Sequence, residues 1–403
     1  MKNGLAKMAN NTGFNSSDSG LIFGYDTGDL VNSYLGEPTT NLETSNPVTF
    51  SGYGWSWVTT SVVQFQGRTC LRCHVYSPGN NPSWTGAYSG ISAVGNIGDI
   101  FTRSCELYIE PNGKFAWTPN VNATHGGSNG ENTYYDLSKV GTWQKLEASV
   151  TNTSSSVPFY FYWFARGGGD PQDVDFVLYM YNPQLEKKDH ATRFTSSSRS
   201  NSQGLLDVTG SNTIQLSNVT FSSTEEILFD GTDDFLTLGS DVTFKTTGGW
   251  TVESMVYYNS VAGGYNNTTS PANFIGAEGI DYNSWYWSVL ENKLALWNIS
   301  PGYWRYGSTT LQPNRWYHTV LTCSNDGSKY QFYLNGIAEG GDHVSQVWNP
   351  AYSGLKVRYI GKGNNGNPRL VNGKIPVTKI YNRPLLASEI YNNFLGYKTR
   401  FNM

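Results

Sequence analysis

Residues able to do chemistry are few in this chain, and the tightest spacing among them is Cys70-Leu71-Arg72-Cys73-His74. Cys-x-x-Cys-His is the pattern that attaches c-type haem, with two thiols for the vinyl groups and a histidine as axial ligand. The surrounding run, Arg68 to Tyr76, reads as a strand. In a strand, residues three apart leave opposite faces, so these are expected to be ordinary strand residues. A zinc site needs a second Cys-x-x-Cys, and the sequence has none. The five histidines, His74, His125, His190, His318 and His343, form no His-Glu-x-x-His array. His318 falls inside the strand-like run Trp316-Tyr317-His318-Thr319-Val320 and is expected in a core. Glycoside hydrolysis needs two carboxyl groups about 5–9.5 Å apart. Asp230, Asp233 and Asp234 are the densest acidic group, but Asp is favoured in solvated β-turns. Glu253, on a strand between Trp250 and Val256, adds no acid–nucleophile pair. No catalytic residue is assigned, and the chain is expected not to be an enzyme. No cofactor is expected either. Calcium, which loops hold through Asp and backbone oxygens, stays open with no ligand assigned.

Aromatic side chains are the better candidates for a binding surface. Tyr282, Trp285, Tyr286, Trp287, Trp297, Tyr303, Trp304 and Tyr306 crowd one stretch. Sugar rings stack on aromatic faces, and interfaces favour Tyr and Trp. Trp285 and Trp287 share a strand face and are expected inside, with Tyr286 outward. About half of the cluster should therefore be core. The candidates for glycan or partner binding are Tyr282, Tyr286, Trp297, Tyr303 and Trp304. A second set, Trp55, Trp57 and Trp84, has the same ambiguity, and Trp84 is carried as a candidate from it.

The elements that position these residues are read from composition and pattern. The 403 residues carry 14% charged and 15% aromatic side chains and 44 glycines. That balance fits an all-β protein with many turns. A net charge of −4 offers no footprint for nucleic acid. No run of about twenty apolar residues suggests a membrane span, and no basic region followed by an apolar core suggests a secretory signal. Four cysteines, Cys70, Cys73, Cys105 and Cys323, do not make a disulfide scaffold at this length. The Asn-x-Ser/Thr sequons at Asn122, Asn218 and Asn298 carry no weight in a chain so rich in these residues.

Residues 1–41 read as a polar arm and linker, with one short strand at Gly20-Leu21-Ile22-Phe23-Gly24-Tyr25-Asp26. Residues 42–192 show strand-like runs at 55–65, 69–76, 101–109, 113–117, 143–151, 157–165 and 173–185, separated by Gly, Asn and Pro clusters, which suggests a sandwich. Residues 193–403 begin with strand, tight turn and strand at Ile227 to Leu238. Further runs follow from Gly249 to Tyr258 and from Arg315 to Thr322. Tyr330 to Gly336 enters a hairpin on Asn-Gly. In the closing stretch 372–396 a Gly turn leads to a strand that ends at Pro384, and a helix opens near Ser388 and ends at Gly396.

These last runs, in this order, resemble the laminin-G-like (concanavalin-A-like) family. Residues 42–192 resemble the galactose-binding-like jelly roll of carbohydrate-binding modules. The early Gly20-Leu21-Ile22-Phe23 with Gly36-Glu37-Pro38-Thr39-Thr40-Asn41-Leu42, and the joint from Gln184 to Asp207, resemble structural proteins of tailed, especially marine, phages. The resemblances imply an all-β protein of tandem jelly-roll β-sandwiches, the second concanavalin-A-like, behind an extended N-terminal arm. They imply a virion structural protein on the particle surface, in head decoration or tail, with a glycan-binding or adhesion role. The partners implied are other virion proteins through the arm, host or environmental glycans, and further copies in a homo-oligomer, with no nucleic acid and no membrane. The alternative is a non-virion carbohydrate-binding protein or an accessory module of a carbohydrate-active enzyme.

Overall fold

The computed structural model describes residues 19–43, 51–53, 58–78, 85–93, 95–125, 128–153, 159–166, 173–224, 226–243, 248–260, 272–276, 285–298, 303–326, 329–340, 356–363 and 369–403. The protein is all-β, with one α-helix near its C-terminus. It forms two compact units, one made of residues 1–37 with 200–403 and the other of 38–199. No helix among the described residues is long and apolar enough to cross a membrane.

The inserted unit, 38–199, contains two five-stranded antiparallel sheets. In one, Gln144–Thr151, Ile100–Ile109, Asp173–Glu186, Arg68–Pro78 and Val58–Phe65 lie side by side. In the other the order is Ser51–Tyr53, Thr85–Ala93, Phe159–Arg166, Asn120–His125 and Ser128–Tyr134. Val174, Phe176, Leu178 and Met180 alternate with outward neighbours and enter the core with Leu71, Cys73, Val75, Leu107 and Ile109. The expected strand at 113–117 is only a single bridge, Lys114 to Asp175. Asn112 turns with φ +73°, and Phe115 and Trp117 pack their rings on Phe176 instead of forming a ladder.

The ends of this unit meet in a two-stranded ribbon, Thr39–Thr40 against Ser198–Arg199. Its anchor is the fully buried carboxylate of Glu186, which accepts from Thr39 Oγ1 at 2.7 Å, Gln184 Nε2 at 2.7 Å, and the Thr192 amide and hydroxyl at 2.8 Å each. Thr195 N donates to Gln184 Oε1, and Arg199 donates to the carbonyls of Arg193 and Phe194. Residues 193–199, expected beyond the boundary, are thus tied into the inserted unit. The polar run that reads as a crossing is held by hydrogen bonds rather than by apolar burial.

The split unit has two larger antiparallel sheets. One runs Thr220–Phe221, Ile227–Asp230, Asn372–Tyr381, Trp250–Ser260, Arg315–Cys323, Tyr330–Leu334 and Ile337–Ala338. The other runs Ile214–Ser217, Phe235–Thr243, Lys356–Ile360, Ala272–Gly276, Tyr286–Leu290, Lys293–Asn298 and Tyr303–Tyr306. Their facing side chains make one core, which includes Trp250, Val252, Val256, Trp285, Trp287, Leu321, Phe332 and Ile380. The Asn335-Gly336 turn takes φ values of +51° and +79°, the left-handed pair that a two-residue hairpin requires.

Two features depart from the sequence reading. Leu21–Asp26 is no free arm but a strand paired with Asn372–Tyr381, with Phe23 opposite Ile380 and Tyr25 opposite Thr378. Phe23 and Tyr25 are fully buried, Tyr25 Oη donates to Ile375 O at 2.7 Å, and Gly24 N donates to Asp207 Oδ1 at 3.0 Å. Residues 1–18 lie outside the described residues. The helix also differs, since Ala387–Arg400 runs through Gly396 where an end was expected, with Leu386 rather than Ser388 as its cap. What lies beyond the glycine holds the helix on. Tyr397 packs with Met255 and Val377, and Arg400 pairs with Asp26 on the first strand.

The helix lies against the outer side of the Trp250–Ser260 and Arg315–Cys323 strands, which explains why the second is buried along nearly its whole length instead of alternating. Beneath it sits Glu253, fully buried, with His318 Nε2 2.7 Å from Oε1 and Asn393 Nδ2 donating to Oε2 at 3.1 Å. Burial pushes the Glu253 carboxyl up, but the hydrogen bond and charge of His318, then Lys379 and Asn393, outweigh it and hold the group below the usual carboxylate range.

A carboxyl depressed by folding stabilises the native state above its unfolded pKa of about 4.3 and loses that contribution as pH falls through the folded value. Glu253→Gln should therefore lower the melting temperature at pH 7, by the equivalent of ~3–5 kcal/mol for a broken buried pair, and flatten the acid limb of the stability curve. Parallel acid limbs for the two proteins would contradict the assignment. A fragment of residues 200–403 lacks the first strand, and with it Phe23 and Tyr25, worth about 1.5–3 kcal/mol each. It should melt without cooperativity or aggregate, and fusing residues 19–37 back, at either end, should restore a sharp transition.

Candidate functional site

The site begins with a meander of three short strands at one edge of the second sheet of the split unit. Leu290 and Lys293 face each other across a two-residue turn, Glu291-Asn292, with φ of +53° and +56°. That tight turn fixes the register. Tyr286 falls opposite Trp297, and Trp297 falls opposite Trp304 on the next strand. Three aromatic residues from three strands thus form one cross-strand row, while Trp287, one residue along, enters the core against Phe332 at 4.8 Å. The Trp297 and Trp304 ring centroids are 5.3 Å apart, and Tyr286 and Trp304 are 6.4 Å apart with planes inclined at 29°. Trp297 and Trp304 are half-buried, whereas Tyr286, expected outward, is only 5% exposed. It does lie on the outer face, covered by its neighbours in the row.

Arg369 completes the row and was not found in the sequence reading. Its guanidinium carbon lies 5.6 Å from the Tyr286 ring centre and 5.7 Å from that of Trp304. The guanidinium has no hydrogen bond and no ion pair among the described residues. Burial lowers its pKa from the ordinary value, with Tyr286 pulling the other way, and an arginine still remains charged. Its backbone sits at φ +43°, a conformation uncommon for a non-glycine residue, and its carbonyl accepts from Asn273 N at 3.3 Å. Asn273 is opposite Ser288, on the sheet face that also carries Tyr286. Its side chain is fully buried, and neither Oδ1 nor Nδ2 has a partner. Ser288 does not help it, since Ser288 Oγ donates to Ala295 O at 3.1 Å. A buried polar group left unpaired costs about 1–3 kcal/mol.

Of the sequence candidates, the structure brings Tyr286, Trp297 and Trp304 together. Tyr303 begins the edge strand opposite Asn298, and its side chain is outside the description. Tyr282 and Trp84 lie outside the described residues, as do Trp55 and Trp57. Trp285 and Trp287 are core residues, as their shared face suggested.

The other spacings resolve into structure. Cys73 is in the inserted unit's core with Leu71 and Val75, while Cys70 packs on the outer face against Tyr108 and Tyr179. The two thiols leave opposite faces of one strand, as strand geometry predicts. Asp230, Asp233 and Asp234 place carboxylate oxygens within 4.8 Å of one another. They mainly cap their own turn, Asp230 Oδ1 accepting from Thr232 N at 2.6 Å and Asp234 Oδ2 from Asp230 N at 2.9 Å. Burial pushes Asp234 up to about 6.

A second aromatic group, on the outer face of a sheet in the inserted unit, also escaped the sequence reading. Phe65 stacks on Tyr179 at 3.8 Å, and Arg68 lies 4.6 Å from the Trp143 ring and 4.8 Å from that of Tyr181. There Arg68 is paired with Glu106 at 2.7 Å and Trp143 Nε1 donates to Gln66 at 2.9 Å. Its polar groups are satisfied internally, unlike those around Arg369.

Residues 230–391 match the sequence profile of the concanavalin A-like lectin/glucanases superfamily. This part of the chain is a concanavalin A-like domain of the lectin/glucanase type. No curated protein matches the chain in sequence. Among solved structures, domain 4 of AbnA, a GH43 extracellular arabinanase from Geobacillus stearothermophilus in complex with arabinotriose, is similar at 16% identity and TM-score 0.34, over 48% of this chain and 92% of that one. The binding domain of botulinum neurotoxin DC in complex with rat synaptotagmin II is similar at 13% identity and TM-score 0.35, over 49% of this chain and 50% of that one. Trypanosoma rangeli sialidase in complex with the inhibitor DANA is similar at 13% identity and TM-score 0.34, over 83% of this chain and 62% of that one. At these scores the likenesses say nothing of ligand or activity for this chain. The aromatic row, from Tyr286 to Trp304, falls within the matched residues.

The four cysteines are buried and free, and burial raises each thiol, with Cys73 and Cys323 pushed up to about 12. The native protein should give almost no reaction with an aromatic disulfide reagent at pH 8, and four thiols per chain after denaturation. Rapid reaction of even one thiol in the folded protein would contradict this packing.

Proposed function

We propose that the chain is a non-catalytic surface protein of a virion that binds glycans through the aromatic row of its lectin domain. One observation carries the glycan reading: Tyr286, Trp297 and Trp304 occupy directly opposed positions on three neighbouring strands, with two of the rings partly open to solvent. Rings in a row suit the apolar faces of sugar units, which stack without a reacting group. The profile match over 230–391 supports it. The virion setting, with contacts to other particle proteins and further copies of the chain, is supported by the resemblance of the arm and joint motifs to tailed-phage structural proteins. The proposed particle anchor narrows to the residues before Ser19, because the chain from Leu21 is a strand of the lectin-bearing unit.

The test is a glycan array with the full-length protein, followed by titration of the best binder. Trp304→Ala and Trp297→Ala should each weaken binding by about 1–2 kcal/mol, roughly five- to thirtyfold, at an unchanged melting temperature. An array without any saccharide signal, or binding indifferent to both substitutions, would remove the row as the site. Co-sedimentation of tagged protein with particles, with and without residues 1–18, tests the virion setting separately.

A further inference from the structure

We infer that the saccharide held by the aromatic row carries a carboxylate, and that Arg369 is its counter-ion. The inference rests on the glycan reading and names the class of sugar. Arg369 is a half-buried cation placed between the Tyr286 and Trp304 rings, at 5.6 and 5.7 Å, with no acid or carbonyl on its guanidinium among the described residues. A guanidinium withdrawn from water is normally paired, and its planar fork matches a carboxylate in two parallel hydrogen bonds. The contrast with Arg68 is direct, since that arginine also lies over two rings but is neutralised by Glu106 at 2.7 Å.

A second, independent observation lies on the same sheet face. The Asn273 side chain is fully buried with its carbonyl and both amide hydrogens unpartnered, and its backbone N–H is held by the Arg369 carbonyl. The unpaired cation and the unpaired amide therefore belong to one corner. A sugar stacked on Trp304 presents hydroxyls and a ring carboxylate at its rim. The carboxylate meets the Arg369 fork, while Asn273, closed to solvent, holds the Arg369 backbone through its N–H. A neutral sugar would leave the cation unpaired. Among the described residues Arg369 is the one cation over the Tyr286 and Trp304 rings, which suits a single carboxylate.

The experiment uses the full-length protein with trigalacturonate and sialyllactose, each beside its methyl ester, which keeps the skeleton and removes the charge. A sulfated galactan oligosaccharide is the other anionic arm. At least one free acid should bind about tenfold or more tightly than its ester, with affinity falling as salt rises. Arg369→Gln should abolish that preference, and Arg369→Lys should restore only part of it. Asn273→Leu removes an orphaned polar group, so it should raise the melting temperature slightly. Equal binding of acid and ester, preference for the sulfated probe alone, or an Arg369→Gln protein that still prefers the acid would overturn the inference while the glycan reading stands. Absence of binding to every saccharide, charged or neutral, would overturn both.

Discussion

The split unit depends on one strand, Asn372–Tyr381, having both of its edges paired. Trp250–Ser260 takes one edge. The other is shared, with Leu21–Asp26 along residues 377–381 and Ile227–Asp230 at residues 372–373. Backbone groups in a sheet interior must be paired or they are costly, so the N-terminal strand is a structural requirement rather than an addition. The close approach is visible at Gly373, where a Cβ would lie 1.9 Å from the Tyr257 carbonyl oxygen. Two segments of chain separated by an inserted unit are thereby bound into one sheet, and Arg400 on the closing helix reaches the same first strand through Asp26.

Charges are scarce, and several of them are spent inside. Glu186 in the inserted unit and Glu253 in the split unit are each fully buried. Each is surrounded by several polar side chains from different elements, a threonine and glutamine set for one and a histidine, tyrosine and asparagine set for the other. Such carboxylates are satisfied in only one arrangement of the segments around them, so they fix which ends meet. Glu186 ties the two ends of the inserted unit, and Glu253 seats the helix on the sheet.

The aromatic surfaces of the two units follow the same physics to different ends. Rings that stack closely and pair every polar neighbour, as around Phe65 and Tyr179, stabilise their own sheet. Rings beside a cation and an amide that lack partners among the described residues, as around Trp304, leave polar groups of their sheet unsatisfied.

The sequence by itself determined the all-β class, the order of most strands, the Asn335-Gly336 hairpin and the inward placing of Trp285 and Trp287. These follow from local alternation and turn chemistry, which are written in neighbouring residues. It also placed Cys70 and Cys73 on opposite faces, because strand geometry alone decides that. Tertiary structure decided the rest. A six-residue run such as Leu21–Asp26 carries no sign of which strand it joins. Gly396 reads as a helix end until the burial of Tyr397 outweighs the local preference. The row of Tyr286, Trp297 and Trp304 exists only through cross-strand register, and Arg369 joins it from a different part of the chain. Pairing between distant segments leaves no local pattern, so the candidates could be named from the sequence but their assembly, and the unpaired groups that give it meaning, could not.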